Sequence, residues 1–408
     1  MNKKKEIFPP LRFRGYKSKW IIDGFDFEFL QTNSFSRAEM DEKKGSVKNI
    51  HYGDILTRYN DILRDISVVP FINKNINLSK FREESYLKNG DIVIADTAED
   101  FTAGKAVEVL NVDFPVLAGQ HTFLCRPKIN FAPGFIGYYL NSPAYHNILI
   151  PLLTGTKVYS ISKANIKNTF ILYPENYEEQ QKIADCLSSI DGLIDAESRK
   201  LKALEKYKKG LMQKLFPAEG KTLPEWRFPE CKNTYEIKRK RLADVCYYKS
   251  SALTTNDVKM DGKYNLYDAN KIIGKVNIYA SEDRYITIIK DGAGVGRVRL
   301  MDGYTNFVGT MGMINNNEFV TIDYLYYLLQ TIDFRVYAIG GTIPHIYFKD
   351  YSKKEIFLPH IGEQQKITDC LSEIDTIITE QSNKVEQLKI HKKGLMQGLF
   401  PSLEEADV

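Results

Sequence analysis

Cysteine, tryptophan and histidine are scarce, at five, two and six residues in 408. Cys125, Cys186, Cys231, Cys246 and Cys370 are odd in number and form no CxxC pair. That excludes a disulfide framework or a structural zinc site as the organising feature and points to a reducing compartment. No run approaches the ~18 apolar residues of a membrane span. The opening MNKKKEIFPPLRFRG is charged but has no apolar stretch after it, so a cytoplasmic protein without a signal peptide is expected. Motifs for chemistry are missing too. There is no GxxxxGK[ST] phosphate loop, no HExxH and no convincing PD-(D/E)xK spacing. The [DNS]PP[YFW] motif that holds a flipped adenine for methylation is absent, and PENY at 174–177 is no substitute. A net charge of +4 permits a polyanionic partner without demanding one.

What the sequence does have is a repeat. Residues 179–217 (EQQKIADCLSSIDGLIDAESRKLKALEKYKKGLMQKLFP) recur at 363–401 (EQQKITDCLSEIDTIITEQSNKVEQLKIHKKGLMQGLFP), offset by 184 without a gap and identical at 24 of 39 positions. In the first copy the apolar positions are Ile183, Leu187, Ile190, Ile194, Leu201, Leu204, Leu211 and Leu215. In the second they are Ile367, Leu371, Ile374, Ile378, Val385, Leu388, Leu395 and Leu399. Steps of four and three alternate, interrupted at Glu197 and Lys208 and again at Gln381 and Lys392. A period of 3.5 held over several heptads is a coiled-coil seam. Each helix should end at its Phe-Pro. At about 35 residues each helix should reach roughly 50 Å, and an antiparallel pair would satisfy both seams. Cys186 and Cys370, equivalent in the repeat, read as small packing residues.

The chain therefore divides into a globular domain (1–175), a long helix (176–217), a second globular domain (218–359), and a second long helix with a C-terminal tail (360–408). The two domains share an order of events rather than letters. β-like runs (GDIVIA at 90–95, RYITIIKDG at 284–292) precede glycine-bearing stretches (VLAGQHTFLC at 116–125, NFVGTMGMIN at 306–315). Aromatic helical segments follow (GFIGYYLNS at 134–142, DYLYYLLQT at 323–331), then Gly-Thr turns (154–162 and 340–348) and short strands (FILYP at 170–174, EIFLP at 355–359). An α+β fold results, with two domains joined by two antiparallel helices in a pseudo-two-fold repeat. Near-identical helices carrying dissimilar domains suit a pair of domains reading two targets, although an old duplication with drift would look similar.

This arrangement resembles the specificity subunit of type I restriction-modification systems. The duplicated EQQKI…GLMQ-x-LFP helices carry the resemblance, supported by TNSFSRAEM (32–40), IHYGDIL (50–56) and DGAGVGRV (291–298). It implies a non-catalytic DNA-binding chain whose two target recognition domains each read half of a bipartite site in double-stranded DNA. The helices would set the spacer and dock two methylation subunits that carry S-adenosylmethionine and methylate adenine. Two restriction subunits, using ATP and Mg, would join them to cut unmodified DNA. The chain itself would bind no cofactor, metal or membrane.

On that reading polar, basic and aromatic loop residues are the candidates for DNA contact. In the first domain they are Ser36, Arg37, Tyr52, Lys105, Lys157 and Tyr159. In the second they are Ser251, Lys271, Arg297, Arg299, Thr342, His345 and Tyr347. GAGVGR at 292–297 lacks the last glycine of GxGxxG, since Arg297 stands there. A cofactor loop, a turn presenting Arg297 to DNA and a plain hairpin all remain open. KRKR at 238–241 suits phosphate contact or a solvated edge, and His51 beside Tyr52 suits DNA contact or packing. The lysines at 200–214 suit a solvated or partner-binding helix face, and His391 a helix surface. An enzyme with an unrecognised site and a coiled-coil adaptor that never touches DNA are the rival readings.

Overall fold

A computed structural model describes residues 7–41, 43–232 and 236–402. The opening lysines and the end of the C-terminal tail lie outside the described residues. The chain folds as two compact units, Met1–Glu197 with Lys384–Val408, and Ser198–Asn383. Each unit thus holds one globular domain, the opening turns of one long helix and the closing turns of the other.

The long helices span Tyr177–Leu215 and Ile361–Leu399, 39 residues each, or about 58 Å at 1.5 Å per residue. Each starts two residues before the repeat. Asn176 caps the first by accepting the Glu179 N–H at 2.9 Å. Both stop one residue short of Phe-Pro, because the residue preceding a proline is pushed out of the helical region. In the first unit Lys392 meets Asp191 and Lys384 meets Glu197, at 2.6 Å each. In the second, Lys208 meets Asp375 at 2.6 Å, and Leu215 shares a core with Ile367. Within each unit, therefore, the helices run antiparallel.

The apolar seam lies inward. Ile183, Leu187, Leu215, Ile367, Leu371, Ile374, Val385 and Leu399 are buried. Ile190, Ile194, Leu201, Leu204, Leu211, Ile378, Leu388 and Leu395 are half-buried. Lys208 departs from the expected solvated face, with only 16 % of its side chain exposed. Its neighbours Lys200, Lys202, Lys206, Lys209 and Lys214 are exposed, as is His391. Cys186 and Cys370 are free and half-buried.

The repeat is most nearly identical at its two ends, and those ends enter the globular cores. Glu179, 1 % exposed, takes a two-pronged ion pair from Arg12 (2.7 and 2.8 Å). Glu363, 2 % exposed, takes one from Arg227 (2.8 and 2.6 Å). Gln180 accepts the Ala132 N–H and donates to the Pro174 carbonyl. Gln364 does the same with Thr321 and Pro359. At the other end Phe400 packs against Phe135 and Tyr139, and Phe216 against Tyr324. Burying a Phe side chain contributes roughly 1.5–3 kcal/mol, so each domain gains stability from both helices.

The domains share a core topology despite their different letters. In the first, the main sheet orders strands Phe27–Leu30, Thr122–Pro127, Asp91–Ala95 and Ala106–Val109, with the short strand Ile62–Leu63 at the edge. In the second the order is Cys246–Ser250, Met311–Asn316, Tyr285–Ile289 and Val298–Met301. A parallel pair accompanies each sheet, Lys48–Ile50 with Val116–Ala118 and Tyr264–Tyr267 with Asn306–Phe307. An antiparallel pair also leads into each long helix, Trp20–Gly24 with Phe170–Pro174 and Lys238–Arg241 with Glu355–Leu358. KRKR is thus an exposed edge strand, and Arg239 is ion-paired with Glu355.

Glu108 ties sheet to helix in the first domain. Its carboxyl, 2 % exposed, accepts the N–H groups of Gly134 and Gly137 at 2.7 and 2.8 Å. Burial, only partly offset by those bonds, lifts its pKa from 4.5 to about 7. The folded state therefore holds a proton that the unfolded state releases. Stability from this group is full below 4.5 and declines until the pH reaches about 7. The stability of the wild type minus that of Glu108→Gln, measured by denaturant titration, should fall across this window and level off above it.

Candidate nucleic-acid interface

In each domain the strands of the main sheet and of the parallel pair bring their loops to one end. In the first domain these loops follow Ile50, Ala95 and Ala118 and precede Ala106 and Thr122. Tyr52 opens the short helix Tyr52–Thr57. Its ring lies 4.5 Å from that of His51 and edge-on to that of His121 at 5.3 Å. His121 sits 3.3 Å from Asp96 and holds a left-handed backbone (φ 54°). Left-handed geometry is uncommon outside glycine and often marks a constrained, functional position. Burial holds His51 below its ordinary pKa, which suits its Nδ1 accepting the Gly53 N–H at 3.2 Å. Burial also raises Asp96.

The first-domain candidates are not equally available. Arg37 donates two bonds to the buried Asp54, at 2.6 and 2.9 Å. Ser36 donates its hydroxyl to Glu39. Both residues therefore brace the loop and the helix beside Tyr52. Lys105 turns inward, its ammonium donating to the carbonyls of Leu56 and Tyr59, and burial lowers its pKa. It serves as a strap within the domain, because its charge is already taken up by the backbone. Lys157 is exposed in the turn at 154–160. Tyr159 pairs with Thr97–Ala98 and packs on Phe101 at 4.6 Å, beside Asp96.

In the second domain the turn at 291–297 is a hub. It joins two antiparallel strands, Tyr285–Ile289 and Val298–Met301, so GAGVGR closes a hairpin and opens no helix. It therefore lacks the strand-to-helix context in which a glycine-rich loop cradles phosphates. Gly296 has φ 86°, and a Cβ there would lie 2.5 Å from that of Phe334, so only glycine fits. On one side of the hub Arg297 donates to the Ala269 carbonyl and to Asn270 Oδ1. Together with Arg299, Asp268 and Thr287 it lines a cleft of about 330 Å³. Arg299 lies 5.5 Å over the Tyr267 ring, and Lys271 is exposed nearby in sequence. On the other side Asp291 accepts from His345 at 2.7 Å, and the Gly292 N–H donates to the Pro344 carbonyl. Thr342 and Tyr347 flank His345 and are exposed. Ser251 accepts the Leu253 N–H through its hydroxyl, and the Gly309 N–H donates to the Leu253 carbonyl.

The structure brings His121, Asp96, Asn270 and Asp291 to these loops, and none of them was among the candidates read from the sequence. The first gave a faint signal, standing in a glycine-bearing stretch between two apolar runs. The others become visible only once strands far apart in sequence are paired. Among the described residues no group of three or more His, Cys, Asp or Glu side chains is placed to hold a metal ion, and no helix is long and apolar enough to cross a membrane.

The family model for the type I restriction modification DNA specificity domain matches this chain twice, at residues 33–206 and 235–388. The chain belongs to this family. Each match runs from a globular domain into the long helix that follows it, which is the repeating unit described above. The specificity chain is 26 % identical over 362 residues to the specificity subunit named for type I restriction enzyme MjaX of Methanocaldococcus jannaschii, covering 82 % of this chain and 83 % of that one. It is 28 % identical over 277 residues to the type I restriction enzyme MjaVIII specificity subunit of the same organism, covering 60 % and 64 %. In fold it is similar to the crystal structure of a type I restriction-modification S subunit from M. genitalium, with TM-score 0.59, 17 % identity and coverage of 97 % and 99 %.

Removing Arg37 would leave the Asp54 carboxylate, 2 % exposed, short of its main partner. Arg37→Ala should therefore cost about 1–3 kcal/mol in chemical denaturation, whereas Lys157→Ala should leave the unfolding midpoint unchanged.

Proposed function

We propose that this specificity chain reads a bipartite site in double-stranded DNA, one half-site per globular domain, and directs a methylation and restriction complex to it. One observation carries the proposal. Two sheets of the same strand order, mounted on near-identical helix ends, present different side chains at the same end of the fold. Tyr52, His121, Asp96 and Tyr159 stand there in one domain, and Arg297, Asn270, Asp291 and His345 in the other. A shared frame with divergent tips is what reading two different sequences requires, because each base pair offers its own pattern of donors and acceptors in the major groove. Lys157, Lys271, Thr342, Tyr347 and Arg299 surround these tips and suit phosphate or base contact.

On this reading the chain performs no chemistry and binds no cofactor. The paired helices set the spacer and dock two methylation subunits, which carry S-adenosylmethionine and modify adenine in each half-site. Two restriction subunits, supplied with ATP and Mg, cut DNA that lacks the mark.

Methylome sequencing of a host expressing the chain with its methylation subunit should show an adenine-methylated bipartite motif that is absent with that subunit alone. Exchanging residues 218–359 for the corresponding domain of a relative should change one half of the motif only. No motif from a folded complex would sink the proposal in favour of an adaptor that does not read DNA. Lys157→Ala and Lys271→Ala should each flatten the salt dependence of DNA affinity by a slope of ~1, as expected for one lost phosphate contact. Fluorescence anisotropy at several salt concentrations measures that slope.

A further inference from the structure

The two interruptions of the apolar seam at Lys208 and Lys392 build the same constellation twice. In the second unit Lys208 Nζ lies 2.6 Å from Asp375 Oδ1. Tyr327 Oη donates to Asp375 Oδ2 at 2.8 Å, and the ammonium stands 5.2 Å from the centre of the Tyr327 ring. In the first unit Lys392 Nζ lies 2.6 Å from Asp191 Oδ1. Tyr138 Oη donates to Asp191 Oδ2 at 2.7 Å, and the ammonium stands 5.1 Å from the Tyr138 ring. Three helices meet in each triangle. One long helix gives the lysine, the other the aspartate, and the aromatic helix of the globular domain the tyrosine. The first unit adds Asp61, also 2.6 Å from Lys392.

These groups do not strengthen the seam as apolar residues would. The lysines are at most 16 % exposed, with Asp191 at 15 % and Asp375 at 35 %, and an ion pair withdrawn from water is often no more stable than a well-packed apolar substitute. What such a pair provides is register. A slip of one residue along a helix shifts a side chain by 1.5 Å and turns it by 100°, which would break every contact of the triangle. The tyrosines come from domains whose sequences otherwise diverge, yet the geometry agrees within about 0.1 Å.

We propose that the Lys208–Asp375–Tyr327 and Lys392–Asp191–Tyr138 triangles are positioning devices that fix the direction each recognition domain faces on its helices, and so restrict the chain to one spacer length. The proposal rests on the bipartite reading above. Adjacent spacers differ by about 3.4 Å and a tenth of a turn of DNA. Discriminating between them needs each domain held to well under half that step. A positioned constellation needs tolerances of about 0.5 Å, and each triangle adds directional bonds between domain and both helices to the polar anchors at the helix ends.

The test uses the full chain with its methylation subunit and reads the methylome. Lys208→Met with Asp375→Asn opens the second triangle, and Lys392→Met with Asp191→Asn and Asp61→Asn opens the first, without stranding a buried charge. The expected result is unchanged half-site sequences, with sites one base pair longer or shorter methylated to at least a tenth of the wild-type level. A single spacer at undiminished methylation overturns the proposal. So does loss of methylation at every spacer from a folded complex, which a merely structural role would produce. If these variants do not fold, Tyr138→Phe and Tyr327→Phe, which remove one hydroxyl each, decide the matter by the same readout. No bipartite motif from the wild-type chain would overturn the recognition reading itself.

Discussion

Each globular domain is completed by helix ends that come from two distant parts of the chain. The closing Leu-Phe of one long helix and the opening Glu-Gln of the other are buried in the same domain in each unit. Glu179 and Glu363 are almost fully buried, and a buried carboxylate is tolerated only when paired. Arg12 and Arg227 supply that pairing from the segments that lead into each domain. The fold, the near-identity of the repeat ends and the placement of the candidate surface all follow from this constraint. The middle of each helix meets fewer demands, and the two copies differ most there.

The same constraint explains how the domains can diverge. Sockets for the helix ends lie at one part of each domain, built from the aromatic helix and the strand pair leading into the long helix. The loops at the end of the main sheet contribute little to those sockets. They are free to change letters as long as turns close and buried polar groups stay paired. Gly296 against Phe334, Lys105 on the carbonyls of Leu56 and Tyr59, and Arg37 on Asp54 show where that freedom stops. They are residues of the candidate surface whose first task is to hold the surface in shape.

The helices, their ends, the order of strands and turns, and the seam were legible in the sequence, because period and repetition are local signals. So was the family resemblance, carried by blocks that the helix ends must keep. The chemistry of individual loop residues was less legible. Lys105, Lys157 and Lys271 look alike as letters. One is spent on backbone carbonyls and two are exposed, and that difference is set by strands that pair across long separations.

The sequence by itself determined two long helices, an antiparallel preference and a shared order of strand-like and helical stretches in the two domains, since apolar periodicity and a gap-free repeat leave few alternatives for the helices. Only the tertiary structure decided what the seam interruptions at Lys208 and Lys392 meet. A lysine at a skipped heptad position reads as a break or a solvated face. It becomes part of a half-buried triangle only when an aspartate from the other helix and a tyrosine from the domain are brought within hydrogen-bonding distance of each other. Those partners lie between 48 and 254 residues from one another along the chain, and nothing local links them.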